Sequence, residues 1–435
     1  MINTVSQSKK HVRLRNRTQF LLGDTIWSAF THPTEEEWEE YVDFRKEQGF
    51  NALQMNVLQQ RHSGEPKEWR HPFAVTDDGH YDYSRINEPY FHRACSLVGQ
   101  AVEKGMLPML VLLWGNYIPG TWQGKRDAGR EEVTKKPYYL PMSEKEMEDY
   151  VTYAVNIFKQ YNPVFIISGD TDFVEESVPY YKKALEITKK CAPECLTTLH
   201  IIPGEVLPDC LIQAPELDFY MYQPGHKISE RALDKTLARQ ILSYPVRRPV
   251  VNSETSYEGN VYFDEKSGRF DERQIRRSFW RGVLSGATAG FVYGAGGVWL
   301  WKEHGRRCSI TDHIGLVNDW RMDLHLPGAW DVSYGKWLAE QVGMLDFNPA
   351  DIVVNDPCEE AVAAAADDFS CIAVYTSFAF PLEIALDLSQ YCVEVMDLEK
   401  RRVLSCVMTY EEGKTLVSGP SYNHDFLYIF RKSFL

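Results

Sequence analysis

The sequence predicts an α/β protein, a (β/α)₈ (TIM) barrel followed by a small antiparallel β-sandwich domain. Two observations lead to this fold class. Between residue 18 and about residue 300, eight short apolar runs alternate with amphipathic helical patterns, which is typical of parallel strands joined by crossover helices. After about residue 345 the helical patterns stop, and short apolar runs follow one another with only turn residues between them.

The eight runs have the character of barrel strands. Strands buried on both faces are near-continuous apolar runs, because helices cover one face and the barrel interior covers the other. The runs lie at residues 19–25, 52–58, 107–114, 164–170, 196–201, 218–223, 249–254 and 290–295. Eight strands with crossover helices in about 280 residues fit a closed barrel. A doubly wound open sheet is the alternative fold, but no GxGxxG loop follows the first run.

Helix start and stop signals separate the runs. Thr34 with Glu37 and Ser143 with Glu146 form two capping-box sequences, each followed by apolar residues at helical spacing. Glycines also occur where a left-handed residue would end a helix. These are Gly49, Gly105 and Gly286.

The C-terminal region carries five apolar runs without helical stripes between them, at residues 349–356, 371–378, 381–388, 392–398 and 426–432. This pattern predicts an antiparallel β-domain of about 90 residues. We therefore predict two domains, a barrel over residues 1–345 and a β-domain over residues 346–435.

The charge of the chain excludes several classes of partner. The net charge of −14 at pH 7 repels phosphate backbones and anionic lipid, so we expect no nucleic-acid and no membrane partner. The N-terminus lacks the apolar segment of a signal peptide, and no apolar run reaches the ~18–20 residues of a membrane-spanning helix. We therefore expect a cytoplasmic protein. The sequence does not indicate an oligomeric state.

The cysteine and histidine patterns predict no metal and no other cofactor. The nine cysteines include no CxxC pair, and Cys191 and Cys195 have no second pair that would complete a zinc site. A metal-dependent hydrolase on this fold would need a histidine cluster such as HxH after the first strand, and none occurs there. We expect reduced thiols, as in a reducing compartment.

Polar side chains stand at the carboxyl ends of the apolar runs, where a (β/α)₈ barrel has its active site. The residues at these ends are Asp24, Asn56, Trp114, Asp170, His200, Tyr222 with Gln223, Glu254 and Tyr293. All except Trp114 are polar, although the run before each of them is apolar. The pattern therefore predicts a site built from several strand ends.

Two of these residues are carboxylates, Asp170 after strand four and Glu254 after strand seven, which face each other across a barrel mouth. Glycoside hydrolysis needs such a pair: one carboxyl protonates the leaving oxygen, and the other attacks the sugar or activates water. A separation of ~5–5.5 Å would give retention of anomeric configuration, and ~6.5–9.5 Å would give inversion. Asp170 could instead cap a helix, whereas glutamate is a poor cap.

Other carboxylates lie close to both positions. Glu258 follows Glu254 by four residues in the same loop, and the choice of nucleophile between them stays open at this point. Asp172 and Glu175 compete with Asp170 but lie further from the end of the strand.

The remaining strand-end residues are candidate sugar contacts. We expect Asp24 to bind a sugar hydroxyl, Tyr222 to hydrogen-bond the nucleophile, and His200 and Asn56 to contact the ligand. Further substrate-binding candidates are Trp27, Trp114, Glu258, Tyr293, Trp299 and Trp301, with His32 and His62 in the loops. For each residue a helix cap, a core aromatic or a satisfied core histidine is the competing interpretation. The loop over about residues 115–142 either shapes the pocket, where its Lys and Arg would bind an acidic sugar, or is simply solvated.

Several motifs, in the same order along the chain, resemble the apiosidase-like glycoside hydrolase family. That family has a GDT-x-W first strand, a first helix ending in R-x-x-x-GFN, a Gly-Asp pair after strand four, E-x-x-x-E after strand seven and YG-x-x-G-x-W after strand eight. The matching segments are Gly23–Trp27, Arg45–Asn51, Gly169–Asp170, Glu254–Glu258 and Tyr293–Trp299. The resemblance covers about residues 18–345.

This resemblance implies a barrel enzyme that cleaves glycosidic bonds of plant cell-wall polysaccharide, in a family that includes enzymes releasing the branched pentose apiose from pectic side chains. It implies a retaining mechanism with Asp170 as acid/base and Glu254 as nucleophile, and a small all-β domain after the barrel. Because no leader is visible, we expect imported pectic oligosaccharides rather than an extracellular polymer as substrate. The alternative is a carbohydrate-binding protein that has kept the fold without catalysis.

Overall fold

A computed structural model describes residues 3–59, 70–124, 140–265, 267–306, 315–356 and 358–433. His62 and the greater part of the loop over residues 115–142 lie outside the described residues. The described chain begins with a three-stranded antiparallel sheet of β1 (Thr4–Val5), β2 (Val12–Leu14) and β3 (Arg17–Thr18). The sequence pattern does not predict this sheet, because strands of two or three residues carry no periodic signal.

Eight parallel strands form the barrel, and each lies within one of the predicted apolar runs, so the predicted fold class is confirmed. The strands of this region are β4 (Leu21–Thr25), β5 (Ala52–Asn56), β6 (Phe73–Val75), β7 (Tyr81–Ile86), β8 (Leu107–Trp114), β9 (Val164–Gly169), β10 (Leu196–Thr198), β11 (Tyr220–Tyr222), β12 (Val250–Asn252) and β13 (Gly290–Tyr293). β6 and β7 form a separate hairpin.

The barrel strands pair in the order β10, β9, β8, β5, β4, β13, β12, β11. Between β10 and β11 the circle is closed by the backbone N–H of Asp218, which donates to the carbonyl of Thr197 at 3.0 Å. The carboxyl ends of all eight strands therefore meet at one mouth.

Helices cover the outside of the barrel, and two of them begin where the predicted capping boxes lie. Both capping boxes are present, with Thr34 and Ser143 as the N-caps. A third box, which the sequence analysis did not identify, joins Asp271 to Gln274. The helices are α1 (Glu35–Glu47), α2 (Glu88–Glu103), α3 (Glu144–Phe158), α4 (Val178–Cys191), α5 (Asp209–Ile212), α6 (Leu233–Leu242), α7 (Glu272–Val283), α8 (Gly296–Trp299), α9 (Trp320–Leu324) and α10 (Pro327–Val342).

Short 3₁₀ turns lie at Gly115–Tyr117, Lys159–Tyr161, Ile228–Glu230 and Met344–Asp346. The three glycines expected to end helices all have positive φ, as predicted. Within the described ranges, none of the helices combines the length and the apolar composition that a bilayer crossing requires.

The C-terminal strands form a six-stranded and a three-stranded antiparallel sheet, which confirms the predicted β-domain class. They are β14 (Asn348–Pro349), β15 (Ala361–Ala365), β16 (Cys371–Thr376), β17 (Leu382–Ile384), β18 (Tyr391–Asp397), β19 (Arg402–Leu404), β20 (Met408–Glu411), β21 (Lys414–Val417) and β22 (Phe426–Lys432). Ile384 and Val417 of the smaller sheet share one apolar core with Ile372 and Phe430 of the larger sheet.

Helix α7 joins the barrel to these sheets through buried ion pairs. The guanidinium of Arg276 donates to both carboxylate oxygens of Asp425 at 2.9 Å. Arg277 and Arg281 both reach Glu360, at 2.7 and 3.3 Å. Because these charges are paired and all but Arg277 are buried, the contact fixes the sheets against the barrel.

Candidate active site

The carboxyl ends of the barrel strands bring Asp170 and Glu254 into one pocket. Asp170 follows β9 directly, and Glu254 lies two residues beyond the end of β12. The two side chains interact electrostatically, since the charge of Glu254 contributes to the raised pKa of Asp170. The imidazole of His200 contacts both residues, so the two carboxyl groups lie in the same part of the barrel mouth.

Asp170 lies in surroundings that favour its protonated form. Burial, followed by the negative charge of Glu254, raises its pKa from 3.8 to about 7. Its Oδ2 accepts a hydrogen bond from Nε2 of Gln123 at 3.0 Å. Its backbone lies in the left-handed region with a φ of 43°, a strained conformation for a non-glycine residue that is often found at functional sites. Asp170 is not a helix cap, because α4 begins only at Val178.

Glu254 is held in its ionised form by two imidazoles. Nε2 of His226 lies 3.0 Å from its Oε1. Nε2 of His200 lies 3.1 Å from its Oε2, close but poorly aligned for a hydrogen bond. Burial opposes ionisation, but the two imidazoles outweigh it and lower the pKa from 4.5 to about 2. The pKa values of the two neighbouring carboxyl groups are therefore shifted in opposite directions.

His200 connects the two carboxyl residues. Its imidazole is fully buried, and its Nδ1 accepts the backbone N–H of Asp170 at 3.2 Å. Because Nδ1 is an acceptor, the hydrogen-bond network assigns the ring proton to Nε2, the atom that faces Glu254. His200 is thus placed to donate from Nε2 toward the carboxylate.

Aromatic rings line the pocket. Trp27 donates its Nε1–H to the hydroxyl of Tyr257 at 2.8 Å and packs edge-on against Trp114, with ring centroids 5.0 Å apart. The rings of Tyr257 and Trp299 lie 5.5 Å apart. Gly169, the last residue of β9, has to be glycine, because any side chain there would overlap the indole of Trp114. Sugars bind to the flat apolar faces of such rings, so these four side chains are candidates for that role.

Asp24 does not face the pocket, contrary to the sequence-based expectation. Its Oδ2 accepts hydrogen bonds from Nε of Arg45 at 2.6 Å and from the hydroxyl of Tyr41 at 2.7 Å. All three side chains are buried between β4 and α1. Successive residues of a strand point to opposite faces, and Asp24 takes the outer one. The ion pair therefore joins two of the recognised motifs, GDT-x-W and R-x-x-x-GFN, for a structural purpose.

Glu258 and Tyr293 also lie behind the barrel wall, which corrects their expected substrate contacts. The hydroxyl of Tyr293 donates to Oε2 of Glu258 at 2.5 Å, and the backbone N–H of Gly328 in the first turn of α10 donates to Oε1 at 3.1 Å. Burial raises the pKa of Glu258 to about 7 in spite of these bonds. Glu258 therefore accepts a hydrogen bond from a backbone N–H that has no partner within α10, and it does not share the pocket of Glu254.

Tyr222 does not form the expected hydrogen bond with the nucleophile candidate. Its hydroxyl donates to the backbone carbonyl of Asp234 in α6 at 3.0 Å, on the outer side of the barrel. Tyr257, in the loop after β12, is the tyrosine next to Glu254. Burial, followed by the charge and hydrogen bonding of Glu254, raises the pKa of Tyr257 well above its usual range.

Several further candidates have structural surroundings instead. Trp301 is buried and stacks on Trp320 with ring centroids 4.0 Å apart. His32 is buried, and its Nδ1 lies 2.8 Å from a threonine hydroxyl. Asp172 accepts a backbone N–H at 2.8 Å, and Glu175 is exposed. These contacts favour the structural interpretation for all four candidates.

Three residues of the site were not identified from the sequence. These are His226 and Tyr257, which lie in loops, and Gln123, which lies in the helical segment that begins at residue 122. No apolar run ends at any of them, so the search for polar residues at strand ends does not find them. The one available signal was the nearness of His226 and Tyr257 to runs six and seven.

The chemistry available in the pocket is that of its carboxyl groups. No group of three or more histidine, cysteine, aspartate or glutamate side chains in the described parts of the chain is arranged to hold a metal ion. A carboxyl group with a raised pKa beside an ionised carboxylate, at the mouth of a barrel lined with aromatic rings, is the arrangement by which glycosidic bonds are hydrolysed. The fold and the site thus define a glycoside hydrolase.

The chain belongs to the apiosidase-like family. The family model described as "Apiosidase-like, catalytic domain" matches residues 6–346, which confirms the resemblance found in the motifs. Among curated proteins, none matches the sequence.

Solved glycoside hydrolases share the fold over almost the whole chain. One, described only as a glycoside hydrolase, has a TM-score of 0.80 at 17% identity and covers 99% of this chain and 97% of its own. A family 5 glycoside hydrolase from Bacteroides vulgatus has a TM-score of 0.80 at 18% identity, covering 99% and 93%. A family 27 β-L-arabinopyranosidase from Geobacillus stearothermophilus, solved with arabinose, has a TM-score of 0.55 at 12% identity, covering 96% and 98%. At these identities the likeness concerns the fold.

Proposed function

We propose that the protein hydrolyses glycosidic bonds by a retaining double displacement, with Asp170 as acid/base and Glu254 as nucleophile. The observation that supports these roles is the opposite shift of two neighbouring pKa values, to about 7 for Asp170 and about 2 for Glu254. Near neutral pH one member of the pair can supply a proton while the other is an anion.

In the first step, a carboxylate oxygen of Glu254 attacks the anomeric carbon, and Asp170 gives its proton to the leaving glycosidic oxygen. A glycosyl ester of Glu254 forms as the bond to the leaving group breaks. In the second step, the ionised Asp170 takes a proton from water, whose oxygen attacks the anomeric carbon and releases Glu254. Once Glu254 is esterified, its charge no longer raises the pKa of Asp170, so the same group then becomes available as a base.

The neighbouring side chains position the nucleophile. His200 and His226 lie at 3.1 and 3.0 Å from the two oxygens of Glu254 and keep it ionised in a buried site. Tyr257 is itself fixed by the Nε1–H of Trp27 at 2.8 Å. Catalytic hydrogen bonds are often long or poorly aligned without substrate, which fits the present alignment of His200.

The proposed substrates are pectic oligosaccharides derived from the plant cell wall, including those with apiose. Family membership supports this choice, since the matching family model is described as apiosidase-like. We further propose that residues 1–345 form the catalytic domain and residues 346–435 a β-domain that supports it. A cytoplasmic location stays a prediction, to be checked by cell fractionation.

A screen of aryl glycosides and pectic oligosaccharides tests the proposal. We expect at least one glycoside, an apioside included in the panel, to be cleaved, and ¹H NMR of the first-formed sugar to show the anomer of the substrate. Release of the opposite anomer would contradict the nucleophilic role of Glu254 and favour a base that activates water. Binding across the panel without any cleavage would favour the non-catalytic carbohydrate-binding alternative.

A further inference from the structure

Several polar side-chain atoms around the pocket are buried without a hydrogen-bond partner among the described residues. The donors are Nδ2 of Asn56 and Nε1 of Trp114 and Trp299, and the acceptors are Oδ1 of Asn56, Oε1 of Gln123 and Oε1 of Gln223. None of these five side chains is more than 3% exposed. Buried polar groups in native proteins are nearly always partnered, so several exceptions grouped around a carboxyl pair point to hydrogen-bonding positions for a ligand.

The geometry directs two of these amides toward the carboxyl pair. Gln123 already donates to Asp170 at 3.0 Å, so its free Oε1 lies beside the acid. Gln54, two residues before Asn56 in β5, donates across the barrel to the carbonyl of Ser253 at 2.9 Å. Because side chains alternate along a strand, Asn56 has the same inward orientation as Gln54.

The other three side chains with unpartnered atoms are those of Gln223, Trp114 and Trp299. Gln223 directly follows Tyr222, the last residue of β11, and so lies at the carboxyl end of the barrel, as Glu254 does. The indoles of Trp114 and Trp299 flank Trp27 and Tyr257 in the aromatic lining described above. Hydrogen-bonding groups therefore lie on several sides of the carboxyl pair.

We propose that Asn56, Trp114, Gln123, Gln223 and Trp299 bind the glycosyl unit whose bond is cleaved, and that this unit is uncharged and fully hydroxylated. The inference rests on the proposed function. A hydroxyl both donates and accepts, so a hydroxylated sugar can pair with three donors and three acceptors. A carboxylate only accepts, and acceptor oxygens beside two further carboxyl groups would repel it.

The same atoms give the subsite its selectivity. A site that is built to hydrogen-bond a hydroxyl leaves its own polar groups unpaired when the ligand lacks that hydroxyl, and discrimination is then strong. We therefore expect the uronic acid and the deoxy analogue of the preferred glycoside to be cleaved with a kcat/KM at least about 100-fold lower.

Binding of free monosaccharides tests the subsite without requiring turnover, because the intrinsic fluorescence of the pocket indoles reports occupancy. The panel contains galactose with galacturonic acid and 6-deoxygalactose, glucose with its two corresponding analogues, and the neutral pentoses xylose, arabinose and apiose. We expect the tightest ligand to be neutral and fully hydroxylated. Tightest binding by an acidic or deoxy sugar, or no binding by any neutral sugar, would overturn the inference.

Two shape-conserving variants, Asn56→Leu and Gln223→Met, remove polar atoms and little volume. We expect each to lower kcat/KM for the preferred substrate by about 10- to 100-fold. The Tm should equal or exceed that of the wild type, because unpartnered buried atoms are removed. Gln240→Met, on the exposed face of α6, is the matched control for loss of a carboxamide and should change neither quantity.

A lowered Tm with unchanged kcat/KM in both variants would show that these amides are structural and would overturn the inference. Failure of the proposed function is distinguishable from this result. If Glu254→Gln keeps the turnover of the wild type, the catalytic assignment is wrong, while the monosaccharide preference still decides whether the subsite takes an uncharged sugar.

Discussion

The barrel mouth and the junction between the barrel and the C-terminal sheets both bury charged groups, but they satisfy them differently. At the junction, Arg276 donates to Asp425 at 2.9 Å and to Asp331 at 2.7 Å. Burial there raises the pKa of Glu360, but the guanidinium of Arg277, with further help from Arg281, outweighs it and holds the pKa at about 2. At the mouth, by contrast, Oε2 of Glu254 has no hydrogen-bond partner, and several uncharged side chains around it also have buried polar atoms without a partner in the described chain.

The difference separates a structural network from a binding site. A complete network of buried charges fixes the arrangement of the parts that it joins. An incomplete one costs stability, since each unpartnered buried group has lost its water without replacement. Such a cost persists where function requires it. Burial and charge alone therefore do not identify the active site of this protein, whereas unpartnered polar atoms grouped around two neighbouring carboxyl groups do.

The largest effect is expected at the mouth, from Glu254→Gln. This variant keeps the shape of the side chain but removes the nucleophile, so we expect kcat to fall by at least about 10⁴-fold. Steady-state kinetics on the best substrate of the screen measure the loss, and circular dichroism with a thermal melt checks the fold. Residual turnover above about 1% of the wild type would contradict the assignment.

Asp170→Asn should change the pH dependence of kcat/KM. The wild type needs a protonated Asp170, whose pKa is about 7, so kcat/KM should fall as the pH rises through about 7. The variant should lose about 10²- to 10⁴-fold in kcat/KM and should also lose that alkaline limb. An alkaline limb that survives in Asp170→Asn would mean that another group is the acid.

Asp170→Asn should also change how the stability of the protein depends on pH. The folded-state pKa of Asp170 is raised from 3.8 to about 7, so the folded state binds this proton more tightly than the unfolded chain does. Stability of the wild type is therefore lost as the pH rises from 3.8 to about 7, and the variant does not share this loss. Denaturant unfolding at several pH values should show that the free energy of unfolding of Asp170→Asn rises relative to that of the wild type as the pH increases across this window.

At the junction, Asp425→Ala should affect stability rather than chemistry. It leaves the buried guanidinium of Arg276 without its main partner, which should cost about 3–5 kcal/mol in the free energy of unfolding. The double variant Arg276→Met with Asp425→Leu should recover much of this loss, because it removes both charges. Unfolding by urea measures the change. An unchanged free energy of unfolding in Asp425→Ala would show that the junction is not a structural network.

The smallest effect is expected from Glu258→Gln, the matched carboxylate control for Glu254. It weakens the contacts of Glu258 with Tyr293 and with the start of α10, at a cost of about 1 kcal/mol in stability. We expect kcat/KM to stay within about 3-fold of the wild type. A loss of activity as large as that of Glu254→Gln would reverse the roles of the two glutamates.

The parts of the fold that the sequence predicts are those that depend on local patterns. All eight barrel strands lie within the apolar runs, and the capping boxes at Thr34 and Ser143 begin α1 and α3. The C-terminal sheets were predicted less completely. β15 (Ala361–Ala365) consists largely of alanine, which is a weak strand former. β19 and β20 are mostly exposed, so they contain no clear apolar run.

The sequence predicts which residues lie at the strand ends, but not whether their side chains point into the barrel or toward the helices. A strand-end position fixes the height of a residue on the barrel axis, whereas the two-residue alternation decides between the pocket and the helix layer. Asp24, Tyr222 and Tyr293 all have the right height and the outer face. Buried polar residues on that face find partners in helices and loops that are distant in sequence, such as Arg45 for Asp24. Sequence spacing alone does not show these partners.

Gly169 and Trp114 compete for one volume on neighbouring strands, β9 and β8. This makes the two positions a single unit in any evolutionary or engineered change of the pocket. A side chain at position 169 requires that Trp114 be shortened and that Val111, also on β8, give way, whereas shortening Trp114 first opens space directly beside Gly169. The order of mutations is therefore constrained: a change at position 169 has to be preceded by a change on β8.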